Sequence, residues 1–242
     1  MNHPDRVTVT PPKALVFDVF GTLVDWRSGV AREAERLLGG SGRRVDGGAF
    51  ADAWRDQYQP AMEAVRSGRL AFCKLDVLHR HNLDRILGDF GLADLDEATR
   101  VELNLAWHRL DAWPDVAAGL ARLRERFLVA PCSNGNISLM VDLARRNGLV
   151  WDAILGAEVA RDYKPTPAVY LAAADAFDCE PADVMMVAAH SSDLAAAASA
   201  GLRTAFIARP DEHGPGRGET AAQVTVDVSA PGLIALADRL AR

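Results

Sequence analysis

The chain has 242 residues, of which 49% are hydrophobic and 25% are charged, and its formal net charge is -6 at pH 7. That length allows one substantial apolar core with a smaller inserted subdomain, and the acidic balance provides no basic surface for nucleic acid. Three cysteines without C-x-x-C spacing fit a reducing cytoplasm, and no run of ~20 apolar residues could span a bilayer. We therefore expect a cytoplasmic protein with no nucleic-acid or membrane partner.

The first predicted strand organises the chain. A polar arm, residues 1–12, leads into the apolar run 14–17, which ends on Asp18 and is followed by Gly21 and Thr22. Such a run is typical of a buried strand whose C-terminal tip carries the carboxylate. Open α/β sheets place their sites in the crevice beyond the carboxyl ends of their strands. Asp18 could equally cap a helix, so this segment alone does not decide between a site and a cap.

The next segment, residues 26–110, has a helical spacing of apolar residues interrupted by glycine pairs, with no strand-like alternation. We expect an all-helical cap over the strand tips. The core would then comprise residues 13–25 and 111–242.

Strands and helices alternate after the cap. We predict strands at 127–132, near 153–155, and at 184–187, 203–207 and 224–226, and helices at 115–126, 137–147, 168–178, 194–200 and 231–241. Alternation of this kind predicts an α/β fold, a doubly wound parallel sheet with a Rossmann-like core and the inserted helical cap.

Polar side chains follow the apolar run 14–17 and three later segments of the predicted core: Asp18 and Thr22, Ser133 and Asn134, Lys164, and His190 and Asp193. Each alone could be a helix cap or a surface residue. Together they indicate one site, because the carboxyl ends of parallel strands meet at one edge of the sheet.

Asp18-Val19-Phe20-Gly21-Thr22 resembles the first motif of the haloacid dehalogenase superfamily, and the polar groups match its four motifs in order. The resemblance implies that Asp18 is a covalent nucleophile. Most members are magnesium-dependent phosphatases, with a second aspartate that protonates the leaving oxygen. Phe20 stands at that position here. Halide needs no proton to leave, and the 2-haloacid dehalogenase branch carries Tyr or Phe there.

The fourth motif also favours a dehalogenase over a phosphatase. Phosphatases of the superfamily typically have Gly-Asp where this chain has Ala188-Ala189, and Mg²⁺ requires oxygen ligands. We expect no catalytic metal and no cofactor. Lys164, which we expect on an exposed loop, becomes the counter-charge that keeps Asp18 ionised, while Thr22 orients the Asp18 carboxylate.

The resemblance implies further roles. Residues 54–58 resemble the dehalogenase segment whose arginine binds the departing halide, which points to Arg55, although an arginine on an amphipathic helix can simply be exposed. Ser133 and Asn134 would bind the substrate carboxylate. Tyr170 follows Lys164 at the family spacing, or only packs under the site.

Residues 188–193 depart from the best-known dehalogenase pattern, because Ser192 replaces a pocket Trp and His190 is introduced. Gln59, Met62 and Trp107 are candidates to fill the space, and His190 or Asp193 would activate water.

We therefore expect hydrolysis of short (S)-2-haloacids to 2-hydroxy acids through an ester on Asp18, with a haloacid as the small-molecule partner. A phosphatase or phosphonate-type hydrolase of the same superfamily, and a catalytically silent protein that binds a small acid, are the alternatives. Whether the protein forms a homodimer stays open.

Overall fold

The computed structural model describes residues 11–40 and 42–241, so most of the predicted N-terminal arm lies outside the described residues. Its centre is a sheet of parallel strands: β1 Ala14–Phe17, β2 Leu128–Ser133, β3 Leu155–Gly156, β4 Val184–Ala188, β5 Arg203–Ile207 and β6 Val228–Ala230. The strand order is β3-β2-β1-β4-β5-β6, with β1 and β4 in the middle. This arrangement confirms the predicted doubly wound α/β sheet.

The segment from residue 26 to residue 110 is built from helices joined by loops, as predicted. Its helices are α1 Trp26–Gly40, α2 Gly47–Asp56, α3 Tyr58–Arg66, α4 Leu75–Ile86 and α5 Glu97–Asn104, followed by the 3-10 helix Leu105–Arg109. The later helices are α6 Val116–Arg124, α7 Ile137–Asn147, α8 Ala157–Ala160, α9 Pro167–Asp175, α10 Ser191–Ser199 and α11 Leu233–Leu240. None of these helices has the length and apolarity needed to cross a bilayer.

The predicted last strand, 224–226, is wrong in position. The pairing with β5 begins only after Asp227, whose backbone N–H donates to Thr204 O and whose side chain accepts from the Thr204 N–H. Val224 and Val226 are partly buried against the apolar cluster on one face of the sheet, outside any strand. Their alternation therefore reflects packing of a loop, which a two-residue period cannot distinguish from a strand.

Alternate residues of β1 face two different apolar clusters, as the pleat of a strand requires. Ala14 and Val16 pack with helices α9 and α10 on one face. Leu15 and Phe17 belong to the cluster that also contains the buried residues of α1 to α5. Because the helical insertion and one face of the sheet share a core, the boundaries of a separate cap domain stay a prediction.

The loop after β1 is fixed from several directions. The backbone N–H of Asp18 still donates to β4, at 3.0 Å, so the residue keeps the register of the sheet. Beyond it, Trp113 Nε1 donates to Gly21 O at 2.8 Å, and Arg209 Nε donates to Thr22 O at 2.8 Å. The backbone that carries Asp18 is therefore held in place from its two sides.

Candidate active site

A cavity of about 560 Å³ opens where the strand tips meet helices α2 and α3. Seven of the predicted site residues line it: Asp18, Phe20, Arg55, Asn134, Lys164, His190 and Asp193. The other three, Thr22, Ser133 and Tyr170, are fully buried behind its wall. The fold therefore brings all ten side chains to one edge of the sheet.

Both oxygens of the Asp18 carboxylate accept hydrogen bonds. The Thr22 hydroxyl donates to Oδ2 at 2.7 Å, and Lys164 Nζ donates to Oδ1 at 2.9 Å. Thr22 Oγ1 in turn accepts the backbone N–H of Ala189 at 2.9 Å, which leaves its own proton directed at Asp18. The carboxylate is thus held in one orientation.

Lys164 is 7% exposed, so the prediction of an exposed loop lysine is wrong. Its Nζ bridges the two acids, at 2.9 Å from Asp18 and 2.6 Å from Asp193. The backbone of Lys164 donates to Asn134 Oδ1 and accepts from Arg66 of helix α3, each at 2.8 Å. Helix α3 therefore covers this loop, a long-range contact that local sequence does not reveal.

The charges in this network keep one another ionised. Burial by itself would raise the pKa of the Asp18 carboxyl, but Lys164 and His190 outweigh it and hold that pKa well below its usual range. Burial opposes the charge of Lys164 as well, and the two neighbouring carboxylates nevertheless raise the pKa of its ammonium well above the usual value. Asp18 is a carboxylate at any ordinary pH.

Two of the predicted residues support the site from behind. The Tyr170 hydroxyl donates to Asp193 Oδ1 at 2.5 Å, on the side of that carboxylate away from Lys164. Ser133 Oγ accepts the backbone N–H of Gly135 at 3.0 Å and so closes the loop between β2 and α7. Tyr170 orients Asp193, and Ser133 shapes the loop that presents Asn134.

His190 faces two carboxylates. Its Nδ1 lies 3.2 Å from Asp18 Oδ2, and its Nε2 lies 2.9 and 2.8 Å from the two oxygens of Glu212. Burial lowers the pKa of His190, but the hydrogen bonds to these acids dominate and raise it to about 10. The ring is therefore an imidazolium at neutral pH.

Glu212 is a site residue that the sequence analysis missed. It is 2% exposed and also accepts from Trp26 Nε1 at 3.1 Å. Gly21 makes room for it: φ is +86° there, and a Cβ would lie 2.1 Å from Glu212 Oε1. Its position in the loop after β5 was the available signal, because such loops border the crevice.

Arg55 brings a further cation to the cavity. Its guanidinium carbon lies 4.0 Å from the ring centroid of Tyr58, 5.1 Å from that of Trp26 and 5.9 Å from that of Phe20. These faces hold the group by cation–π attraction. Its Nη1 is buried and has no hydrogen-bond partner among the residues that the structure describes.

The space left by the missing pocket Trp is bordered by polar groups. Ser192 and Gln59 line the cavity, together with His213. Met62 and Trp107 are fully buried in the apolar cluster. Of the three candidates for filling the space, Gln59 alone lies at the cavity wall.

The donor set does not fit the magnesium site typical of the superfamily. Within residues 11–40 and 42–241, no group of three acidic, histidine or cysteine side chains is arranged to hold a metal. Ala188, which ends β4, and Ala189, which follows it, present only methyl groups, and Lys164 Nζ already contacts both Asp18 and Asp193. An octahedral Mg²⁺ shell needs oxygen ligands at these points.

Comparison with known proteins identifies the family. The sequence model of the haloacid dehalogenase-like hydrolases matches residues 12–201. (S)-2-haloacid dehalogenase 1 of Pseudomonas sp. strain CBS-3 is 31% identical over 204 residues, which cover 82% of this chain and 86% of that protein.

Solved structures agree in both fold and sequence. A defluorinating L-2-haloacid dehalogenase superimposes with a TM-score of 0.93 and 43% identity over 96% of each chain. The L-2-haloacid dehalogenase of Xanthobacter autotrophicus with chloropropionic acid covalently bound gives 0.80 and 27%, covering 95% of this chain and 98% of that one. The chain therefore belongs to the haloacid dehalogenase-like hydrolases and is a hydrolase of the (S)-2-haloacid dehalogenase type.

Proposed function

We propose that this hydrolase converts short (S)-2-haloacids, such as haloacetates and 2-halopropionates, into 2-hydroxy acids through a covalent ester on Asp18, without a metal. The observation that carries the proposal is the tip of β1. There a buried carboxylate is oriented by Thr22 and paired with Lys164, and Phe20 stands where a proton donor would be needed for phosphate esters. The covalently bound chloropropionic acid in the Xanthobacter autotrophicus dehalogenase supports the same step.

In the first step, a carboxylate oxygen of Asp18 attacks C2 of the substrate from the side opposite the halogen. A C–O bond forms, the C–X bond breaks, and halide leaves with the electron pair, which inverts C2. We assign the departing halide to the Arg55 guanidinium, which lines the cavity among the rings of Phe20, Trp26 and Tyr58. Thr22 and Lys164 fix the attacking group, a placement that lowers the entropic part of the barrier.

The substrate carboxylate needs a separate anchor. Asn134 lines the cavity, and the loop that carries it is closed by Ser133. We assign carboxylate binding to this loop, with Asn134 and neighbouring backbone N–H groups as donors. Asn134 lies beside Lys164, whose backbone N–H donates a hydrogen bond to Asn134 Oδ1.

In the second step, water attacks the carbonyl carbon of the Asp18 ester. The acyl C–O bond breaks, which restores the carboxylate and releases the 2-hydroxy acid. His190 is the titratable side chain next to Asp18 Oδ2, and Asp193 lies on the other side, beyond Lys164. Each turnover consumes one water and produces one halide ion and one proton.

The alternative functions fit these residues less well. A phosphatase or phosphonate-type hydrolase would lack the acid replaced by Phe20 and the metal-binding carboxylate replaced by Ala189. Binding of a small acid would not require the buried Asp18 carboxylate, whose desolvation is costly and which Thr22 and Lys164 stabilise.

The test is a substrate panel. We expect halide release from chloroacetate, fluoroacetate and (S)-2-chloropropionate, much slower release from the (R) enantiomer, and no phosphate release from a generic phosphate monoester. Rates should be unchanged after exhaustive chelation, and Asp18→Asn should release no halide. Phosphate release, or activity restored only by added Mg²⁺, would contradict the proposal. Binding of the acids without turnover would indicate a catalytically silent protein that binds a small acid.

A further inference from the structure

His190 lies between two carboxylates from distant parts of the chain. Asp18 Oδ2 is 3.2 Å from Nδ1, and the Glu212 oxygens are 2.8 and 2.9 Å from Nε2. Other charged or titratable groups line the cavity beside this pair, namely Lys164, Asp193, Arg55, Asp56, Tyr58, Arg66 and His213, the last with its Nε2 3.7 Å from Glu212. Arg217 and Glu219 line a second cavity that His190 and Glu212 also border. Each ring nitrogen faces an acid, so both carry a proton in the free enzyme.

A doubly protonated ring cannot accept a proton from water. If His190 is the base for ester hydrolysis, it must first lose a proton, and the two acids decide which one. Esterification turns Asp18 from an anion into a neutral ester carbonyl, so the proton on Nδ1 loses its counter-charge. Glu212 is unaffected, and the proton on Nε2 keeps its partner.

We propose that Glu212 is a positioning residue that holds the proton on Nε2, so that esterification of Asp18 releases the proton from Nδ1 and converts His190 into the base of the second step. This inference rests on the proposed function. His190 would therefore be inactive as a base until the ester exists, and the proton of each turnover would leave the enzyme between the two steps.

The proton balance is complete. The first step forms the ester and releases halide, and the Nδ1 proton then passes to solvent through the open cavity that His190 lines. Of the two protons of the attacking water, one goes to Nδ1 and the other ends on the product hydroxyl. The imidazolium and the Asp18 carboxylate are then restored, and no further reactant is needed.

The surroundings of Glu212 support this role. A buried carboxylate is costly unless it is paired, and Glu212 has His190 as its paired cation and Trp26 Nε1 as a second donor. Gly21, with φ of +86°, is the backbone position that leaves room for it. The same carboxylate–imidazole pairing fixes the working tautomer of histidine in other hydrolases.

The first experiment follows the wild-type protein through one turnover. Excess enzyme is mixed with chloroacetate in weakly buffered solution containing a pH indicator, and halide, proton and glycolate are timed separately. We expect one proton per ester, released with or just after halide and before glycolate. A proton that appears only with glycolate would overturn the inference. Absence of halide release would instead contradict the proposed function.

The second experiment replaces Glu212. Glu212→Gln should leave halide release within about threefold, slow ester hydrolysis about 100-fold or more, and let the ester accumulate on Asp18. The alkaline rise of the hydrolysis rate should move to lower pH, because an amide does not raise the pKa of His190 as a carboxylate does. Glu212→Asp should recover part of the rate.

The control is Glu33→Gln, which removes another buried carboxylate, on helix α1 outside the site. It should retain both rates. If Glu212→Gln slowed halide release and ester hydrolysis equally, Glu212 would serve only the fold. The same conclusion would follow if Glu212→Asp recovered no activity and the pH dependence of ester hydrolysis in Glu212→Gln were unchanged. The proton timing in the wild-type protein tests the inference even if Glu212→Gln fails to fold.

Discussion

Replacing Lys164 with Met would remove the cation between Asp18 and Asp193 while keeping a side chain of similar length. Because Lys164 is buried, we expect a loss of ~3–5 kcal/mol in the free energy of unfolding near pH 8, the usual cost of removing one partner from a buried ion pair. A surface lysine would cost ~0.5 kcal/mol or less. Halide release should fall about 100-fold or more, because the attacking carboxylate loses its electrostatic support.

The stability loss should depend on pH with a definite sign. In the wild-type protein the pKa of folded Asp18 is below its unfolded value, so its ionised form contributes stability above the unfolded pKa, and that contribution is lost only as pH falls through the folded pKa. Without Lys164, only His190 and the Thr22 hydrogen bond oppose the effect of burial, so the pKa of Asp18 should rise relative to wild type and more of the carboxyl should be protonated in the folded state at low pH. The difference between wild type and variant should therefore shrink between about pH 7 and pH 4.

Urea unfolding at pH 8 and pH 4 measures this difference. Lys74→Met is the matched control, because Lys74 pairs with Glu158 at a half-exposed position, where an ion pair contributes ~0–1 kcal/mol. A loss at Lys164 no larger than at Lys74, or halide release within a few-fold of wild type, would refute the reasoning.

Two further predictions concern the Glu212 side of the site. Gly21→Ala should destabilise the protein by more than ~1 kcal/mol, because the added Cβ would sit on a left-handed backbone and clash with Glu212. Gly91→Ala is the control in the same unfolding assay, because Gly91 has φ of +67° but no atom near its Cβ position. Equal losses of stability in the two variants would contradict the steric argument. For His190, the folded pKa of about 10 lies above the unfolded 6.5, so its stabilisation is present below pH 6.5 and is lost as pH rises towards 10. His190→Gln should flatten the unfolding free energy across that range, and an unchanged slope would show that His190 is not charged in the folded protein.

The sequence predicted those parts of the site that sit at strand tips. Asp18, Asn134 and Asp193 follow or adjoin apolar runs, and the order of strands and helices placed them together. Lys164 was predicted to be near Asp18, but its burial was missed because helix α3 covers it from 98 residues away in the chain.

Glu212 was missed because no local pattern singles it out within the loop after β5. It lies in an irregular loop, and its role depends on packing against Gly21 and Trp26, each more than 180 residues earlier. The charge of His190 depends on its contact with Glu212, so the sequence did not predict it either. The last strand was misplaced for a related reason, since its pairing with β5 begins at Val228, after the contacts of Asp227 with Thr204, and not at Val224 and Val226.

The covalent step on Asp18 is the central claim, and a single turnover with excess enzyme in ¹⁸O-water tests it directly. If Asp18 attacks carbon and water attacks the ester carbonyl, the hydroxyl oxygen of the first product comes from Asp18. We therefore expect unlabelled 2-hydroxy acid, and ¹⁸O in the carboxylate of the peptide that contains Asp18. Label in the product after one turnover, with none at Asp18, would make Asp18 a general base for water and contradict the account.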